Sequence, residues 1–149
     1  MVKAVIFDFN RTLYDPDSGA LVDGAMQVLG VLSKSFRLVL LSKAGDGNRK
    51  GLFDELGITS FFEFVRVVEE KSELEFREMV GRLGLNSSEV LAIGDQVKKD
   101  VKLAKAVGCK TVWFKQGKFA GVEPDSFEET PDYVVSSLLE LPKLVSSLA

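Results

Sequence analysis

The sequence predicts an α/β fold, a three-layer doubly wound parallel sheet with helices on both faces, formed by a single domain over residues 1–149. Two observations predict it. Short apolar runs rich in β-branched residues alternate with longer amphipathic segments along the whole chain. The length of 149 residues suits one domain, and 46% of the residues are hydrophobic, which is typical of globular proteins.

Apolar runs provide the predicted strands. The first, at residues 4–7 (AVIF), is apolar at every position, as expected for a strand that is buried on both faces. The later runs lie at residues 37–41, 64–68, 90–93 and 111–114, with a short sixth candidate at 133–135.

Amphipathic segments between these runs provide the predicted helices, at residues 24–34, 49–56, 73–83, 98–107 and 136–148. Ser72, with Glu75 three residues later, has the pattern of a capping box at the start of a helix. Pro142 is expected to kink or restart the last helix. Alternating strands and helices imply parallel pairing, and such sheets bind ligands at the carboxyl ends of their strands.

The composition excludes several classes of function. There is no histidine, which removes Ser-His-Asp catalysis and the usual zinc sites. The one cysteine, Cys109, cannot form an internal disulfide, and we interpret it as a reduced thiol. The net charge of −3 and pI of about 5.1 argue against nonspecific nucleic-acid binding. With no apolar run of about 18 residues and no signal-peptide pattern, we expect a cytoplasmic protein without a membrane partner.

Polar residues follow the predicted strands, and together they suggest chemistry. Any one of them alone is usually a cap or a turn residue. As a set they bring carboxylates, a hydroxyl and an ammonium group to one edge of the sheet, which suits a phosphate and a hard cation. In chain order they are Asp8, Ser42, Lys71, Asp95 and Asp100.

Four stretches around these residues resemble the motifs of the haloacid dehalogenase (HAD) superfamily. Residues 8–13 (DFNRTL) resemble its DxDGT-L signature, and residues 40–42 (LLS) resemble its second motif. Lys71, before a helix, resembles the third, and residues 93–100 (IGDQVKKD) resemble the GDxxxxD form of the fourth. The resemblance covers residues 3–114, and it implies that the five strands, numbered along the chain, lie in the order 5-4-1-2-3.

The resemblance also implies a mechanism and a cofactor. Asp8 would attack phosphorus and form an aspartyl-phosphate, which splits one difficult displacement into two. Mg²⁺ would be held by Asp8, the main-chain carbonyl of Asn10 and Asp95, while Asp100 would hold metal-bound waters or Lys71.

The phosphate site implied by the same resemblance consists of Ser42, Lys71 and the main-chain N–H groups near Phe9 and Asn10. Lys71 would also neutralise Asp8. Lys43 is a rival for the role of Lys71, because it is adjacent to Ser42. We expect Thr12 to hold the main chain of its loop rather than to contact substrate.

Asn10 is the departure from the family pattern that matters. Family phosphatases have at this position an aspartate that protonates the leaving oxygen and then deprotonates water, and an amide cannot exchange a proton near neutral pH. Four explanations are open: a slow phosphatase for good leaving groups, a long-lived aspartyl-phosphate, a degenerate phosphatase that only binds phosphorylated partners, or an introduced substitution. Arg11 also replaces the usual glycine.

The spacing of the motifs leaves no room for a cap domain, neither between Thr12 and Ser42 nor in residues 43–70. An open site suits large or macromolecular phosphorylated substrates. Alternatively, a neighbouring subunit of a homo-oligomer supplies the lid and the substrates are small. In the loop 115–131, Lys115 and Lys118 either contact substrate or are solvated.

Two hypotheses therefore stand at the level of the sequence. The first is a capless, Mg²⁺-dependent HAD-type hydrolase of phosphate monoesters, slowed by Asn10. The second is a noncatalytic phosphate-binding or regulatory module on the same fold.

Overall fold

The computed structural model describes residues 1–45 and 47–149. Six parallel strands form the main sheet, in the order β5-β4-β1-β6-β7-β8. Two very short antiparallel strands, β2 and β3, form a separate hairpin. The strands are β1 (Ala4–Asp8), β2 (Tyr14–Asp15), β3 (Ala20–Leu21), β4 (Arg37–Lys43), β5 (Phe64–Val68), β6 (Val90–Gly94), β7 (Lys110–Phe114) and β8 (Tyr133–Val135).

The predicted α/β class is confirmed. The five predicted strands have the predicted order, and the difference in detail is at the edge, where β8 extends the sheet beside β7. Between the first motif and β4, and again between β4 and β5, the described residues form the hairpin and two helices, and contain no cap domain.

Alternation along β1 places the core on both faces of the sheet. Val5 and Phe7 belong to the apolar cluster on one face, whereas Ala4 and Ile6 belong to the cluster on the other. Because successive side chains of a strand point to opposite faces, an unbroken apolar run is what a central strand between two helical layers requires. All five residues of β1 are buried, so the strand that ends at Asp8 is held from both sides.

The helices cover these two faces. They are α1 (Ala25–Leu32), α2 (Arg49–Glu55), α3 (Glu73–Leu83), α4 (Lys102–Val107) and α5 (Leu141–Ser147). The predicted capping box is present at α3, where the main-chain N–H and the hydroxyl of Ser72 both donate to the Glu75 carboxylate. None of these helices, within residues 1–45 and 47–149, is long and apolar enough to cross a membrane.

Two predicted helices begin differently from the expectation. The segment predicted as a helix at 98–107 starts as one turn of π-helix, Val97–Val101, before α4. The helix predicted at 136–148 is divided into a 3₁₀ turn, Leu138–Glu140, and α5. Pro142 lies in the first turn of α5, where the missing N–H costs nothing, so the proline restarts the helix.

Candidate active site

A buried ion pair joins three of the predicted residues at the carboxyl edge of the sheet. The Lys71 ammonium lies 2.6 Å from Oδ1 of Asp8 and 3.0 Å from Oδ1 of Asp100. Asp8 ends β1, and Asp100 lies in the π-helical turn. Because only 11% of the Lys71 side chain is exposed, this cation is committed to the two carboxylates rather than to solvent.

Lys43, the rival of Lys71, lies elsewhere. Its ammonium is half exposed and pairs with Glu70 at 3.2 Å. Lys71 follows Glu70 and immediately precedes the capped start of α3, and that position aims its side chain back over the sheet toward β1. The geometry therefore favours Lys71 as the cation next to Asp8.

Gly94 allows Asp100 to come close to the end of β6. A methyl group on Gly94 would lie 2.6 Å from Cγ and 2.7 Å from Oδ2 of Asp100, which is closer than real contacts permit. The glycine of the GDxxxxD motif is therefore needed here for close approach rather than for an unusual backbone angle. The π-helical turn brings Asp100 down onto this open space, and π-bulges are frequent at functional sites.

Asp95 differs from Asp100 in its hydrogen bonding. It is buried, and neither of its carboxylate oxygens has a hydrogen-bond partner among the described residues. The side-chain oxygen of Asn10 is likewise buried without a partner in the part of the chain that the structure describes. Unpartnered buried oxygens are rare and require an explanation, such as a bound ion.

Burial and the neighbouring charges together shift the pKa values of the cluster. Burial, and then repulsion by Asp8 and Asp100, raises the pKa of the Asp95 carboxyl to about 9. Burial and Asp8 also raise the pKa of Asp100, to about 6, although Lys71 opposes this change. Burial alone would lower the pKa of Lys71, but Asp100 and Asp8 outweigh it and raise that pKa above its usual value.

Thr12 is a member of the site that the sequence analysis missed. Its hydroxyl donates to Oδ2 of Asp8 at 3.1 Å, and the residue is fully buried. We expected Thr12 to hold the main chain of its loop rather than to contact substrate, and its bond to Asp8 was not predicted. Its main-chain N–H also bonds the Phe9 carbonyl at 3.2 Å. The sequence signal that could have identified this contact is the position of Thr12 in the first motif, four residues after Asp8.

The remaining residues of the first motif shape the loop after β1. The Phe9 ring is buried, stacks on Tyr14 with centroids 4.9 Å apart and meets Phe53 edge-on. Arg11 has a φ of +61°, in the left-handed region where glycine is usual, and its guanidinium lies 3.2 Å from Asp17. Arg11 thus adds a positive charge beside the site, but this charge is paired with Asp17 of the same loop.

Ser42 is placed on the expected strand, with its hydroxyl directed elsewhere. Leu41 is the β4 partner of Asp8, so Ser42 lies one residue beyond the level of Asp8, and it is buried. Its hydroxyl donates to the main-chain carbonyl of Lys43 at 3.0 Å. A rotation of the side chain is needed before Ser42 can contact a phosphate.

The acidic residues fit a hard divalent cation. Asp8, Asp95 and Asp100 each offer a carboxylate oxygen, and these atoms lie within 4.8 Å of one another. Carboxylate and carbonyl oxygens are the ligands that Mg²⁺ prefers. The unpartnered oxygens of Asp95 are the ones that a cation would satisfy, so the residues present suit the group that the first motif implies.

A groove of about 900 Å³ opens at the same edge of the sheet. The hairpin and the residues that follow β7 and β8 line it, including Lys118, together with Arg11. Asp8 and Asp95 are not among its lining residues, and Arg11 is its lining residue nearest to Asp8 in the sequence. Of the two lysines considered in this loop, Lys115 pairs with Glu123 at 2.7 Å, so Lys118 is the one that faces the groove.

Comparison with known proteins agrees with this geometry. A family model described as HAD-hydrolase-like matches residues 71–141. Over 98 residues the chain is 40% identical to the glyceraldehyde 3-phosphate phosphatase of Methanocaldococcus jannaschii, which covers 62% of this chain and 42% of that protein. These matches support membership of the HAD superfamily. The resemblance that the four motifs carry is thus confirmed.

Two further matches, one in sequence and one in structure, extend the comparison. The human N-acylneuraminate-9-phosphatase is 28% identical over 134 residues, covering 86% of this chain and 53% of that protein. A Bacillus subtilis structure described as a HAD-hydrolase bound to magnesium superposes with a TM-score of 0.82 at 15% identity, covering 97% of this chain and 98% of that one. The chain spans about half the length of the curated relatives it matches.

Proposed function

We propose that this chain is a Mg²⁺-dependent hydrolase of phosphate monoesters that works through an aspartyl-phosphate on Asp8. The single observation that carries the proposal is the setting of Asp8. Its two carboxylate oxygens are held by Lys71 and Thr12, beside the unpartnered carboxylate of Asp95. The names of the relatives support the same reaction, since both curated relatives are phosphatases.

Each residue of the site has a separate role in this mechanism. Asp8 attacks phosphorus through one carboxylate oxygen, the bond from phosphorus to the leaving oxygen breaks, and water later cleaves the acyl phosphate. Thr12 and Lys71 fix the orientation of the Asp8 carboxylate before attack, which removes an entropic cost from the first step. Lys71 also supplies positive charge for the phosphate, and Ser42 contacts it after its hydroxyl rotates from Lys43.

The residues that would hold Mg²⁺ are Asp8, Asp95 and the main-chain carbonyl of Asn10, while Asp100 keeps Lys71 in place. When bound, magnesium supplies positive charge that offsets the repulsion between the nucleophile and the phosphate. A structure at TM-score 0.82 that is described as bound to magnesium agrees with this choice of cation.

Asn10 sets the kind of substrate that this chain hydrolyses well. Its amide cannot deliver a proton to the leaving oxygen, and general acid–base catalysis is worth about 10²–10⁴-fold. Leaving groups that depart as stable anions need little such help. We therefore expect efficient turnover of aryl phosphates and acyl phosphates, and slow turnover of alkyl phosphates. The groove beside Arg11 and Lys118 gives room for the leaving group.

Hydrolysis of p-nitrophenyl phosphate with and without Mg²⁺ tests the proposal. We expect turnover that requires the metal and that falls by at least about 10⁴-fold in Asp8→Asn, because that change removes the nucleophile and keeps the shape. Asp54→Asn, which alters an exposed carboxylate bonded to Thr59, is the matched control and should retain activity. Metal-independent turnover, or an active Asp8→Asn protein, would refute the mechanism.

The Asn10→Asp change tests the assignment of the acid position. It should increase turnover of alkyl phosphates by about tenfold or more and leave p-nitrophenyl phosphate less affected, because only poor leaving groups need the proton. No change in the turnover of alkyl phosphates would show that residue 10 is not the acid–base position.

The second candidate is a noncatalytic phosphate-binding module, and the observation that favours it is Asn10 itself. Under this hypothesis the protein binds inorganic phosphate or a phosphorylated partner without turnover. Calorimetry with phosphate in the presence of Mg²⁺, together with the absence of turnover at every pH and with every divalent metal, would select the module over the enzyme.

A further inference from the structure

Trp113 is the one tryptophan of the chain, and the mechanism above does not use it. It lies on β7, is 2% exposed, and is the β-sheet partner of Gly94, the last residue of β6. Its indole N–H donates to the main-chain carbonyl of Asp95 at 2.9 Å in a fully buried setting. The Trp113 ring is thus hydrogen-bonded to the residue that carries the unpartnered carboxylate.

The orientation of the Asp95 side chain is not fixed by hydrogen bonds of its own. Its carboxylate oxygens have no hydrogen-bond partner within residues 1–45 and 47–149, so the direction of the carboxylate depends on how the main chain is held. The indole N–H holds that main chain directly. A buried carbonyl that lost this donor would seek another partner, and the Asp95 main chain would shift to find one.

The same ring supports the turn that follows. Trp113 packs with Val97 and Val101 in a small apolar cluster of its own, and these two valines are the first and last residues of the π-helical turn. Asp100 belongs to that turn and approaches Gly94 closely. The Trp113 side chain therefore contacts the two segments that bring Asp95 and Asp100 to the cluster, the first through a hydrogen bond and the second through packing.

We propose that Trp113 is a positioning residue that sets the affinity of the site for Mg²⁺ by holding the Asp95 main chain through its indole N–H. This inference rests on the metal site of the proposed function. Groups that orient metal ligands through hydrogen bonds typically change metal affinity by about 10–100-fold when they are removed. Trp113 acts through Asp95 and touches neither the cation nor the phosphate.

The test separates the hydrogen bond from the packing. Trp113→Phe deletes the N–H and part of the ring, while replacement of Trp113 by 3-benzothienylalanine deletes only the N–H and keeps the shape. Phe114→Leu is the matched packing control, because Phe114 is equally buried on the same strand but belongs to the core on the other side of the sheet. Calorimetric titration with Mg²⁺ should give an affinity about tenfold weaker or more for both Trp113 replacements, and within twofold of the unaltered protein for Phe114→Leu.

A second readout uses the tryptophan itself. Mg²⁺ should change the intrinsic fluorescence of the unaltered protein, since the indole is bonded to a residue that binds the metal, and the change should be absent in Asp95→Asn. At saturating Mg²⁺ the turnover number of Trp113→Phe should stay within about threefold of normal, while the Mg²⁺ concentration for half-maximal rate rises in proportion to the affinity loss.

Each outcome decides the inference. Unchanged Mg²⁺ affinity in the benzothienylalanine protein would overturn it, as would an equal loss in Phe114→Leu. If the unaltered protein binds no Mg²⁺, the metal site fails and the inference fails with it. If the protein binds Mg²⁺ with the predicted differences but turns over no ester, the role of Trp113 stands and the catalytic proposal alone fails.

Discussion

The two halves of the carboxylate cluster balance their charges in different ways. In one half, Lys71 lies between Asp8 and Asp100, and Thr12 donates to the remaining oxygen of Asp8. In the other half, Asp95 and the side-chain oxygen of Asn10 are buried without a partner among the described residues. The first half is complete within the chain, whereas the second is not.

The chain thus supplies partners for the proposed nucleophile, Asp8, whereas Asp95 lacks the partner that the proposed cation would provide. Burying an unpaired carboxylate costs several kcal/mol, or forces the group to take up a proton, and the raised pKa of Asp95 is that response. Residues perturbed in this way by burial and by a specific neighbour are candidates for functional sites. Both halves are built on the ends of central strands, so their geometry is rigid.

The largest expected effect comes from breaking the complete half. Lys71→Met keeps the length of the side chain and removes its charge, which leaves Asp8 and Asp100 buried without a cation. Removing one partner of a buried ion pair typically costs about 3–5 kcal/mol, and we expect a loss of this size in the free energy of unfolding at pH 8. Urea denaturation measures it.

Lys43→Met is the matched control for this change. Its ammonium is half exposed and pairs with the exposed Glu70, so the same substitution should change the free energy of unfolding by less than about 0.5 kcal/mol. If the two variants are equally stable, the ion pair of Lys71 does not compensate the two carboxylates as the geometry indicates.

The second-largest effect concerns the half of the cluster that lacks partners, and in particular the proton on Asp95. The pKa of Asp95 is raised from 3.8 to about 9, so the folded metal-free protein holds a proton that the unfolded chain releases. Stability without metal should therefore fall as the pH rises from about 4 to about 9. Mg²⁺ must displace this proton, and its affinity should increase by about tenfold per pH unit between pH 6 and 8.

Calorimetry in two buffers of different ionisation enthalpy measures the proton released on Mg²⁺ binding. Asp95→Asn has no proton to release and should show a weak affinity that does not vary with pH through this residue. A flat affinity for Mg²⁺ in the unaltered protein across this range would mean that Asp95 is already ionised without the metal, and that the contrast between the two halves is smaller than the burial implies.

The sequence was sufficient for the fold and for the position of this cluster, because both depend on patterns that repeat along the chain. An apolar run such as residues 4–7 has one simple interpretation, a strand buried on both faces, and polar residues directly after parallel strands must lie at one edge. The proximity of Asp8 and Asp95 follows from strand order, because β1 and β6 are neighbours in the sheet.

The details that the sequence did not predict depend on short loops and on individual side-chain torsions. The hydroxyl of Thr12 reaches Asp8 only because the chain turns tightly after Phe9. The π-helical turn before α4 and the orientation of the Ser42 hydroxyl have no periodic signature in the sequence. Trp113 was predicted as a strand residue, and only the paired register of β6 and β7 reveals its bond to Asp95.

The smallest expected effect concerns Arg11, which follows Asn10 beside the incomplete half. Its φ of +61° is a conformation that costs a residue with a side chain about 1 kcal/mol or more relative to glycine. Its guanidinium pairs with an exposed Asp17, a contact worth little. The free energy of unfolding of Arg11→Gly should therefore be about 1 kcal/mol higher than that of Arg11→Ala. Both variants lose the ion pair, and only the alanine keeps the backbone strain. Urea denaturation of the two variants measures the difference. An alanine protein at least as stable as the glycine protein would show that the loop after β1 relaxes out of the left-handed conformation, and Asn10 would then be free to move with it.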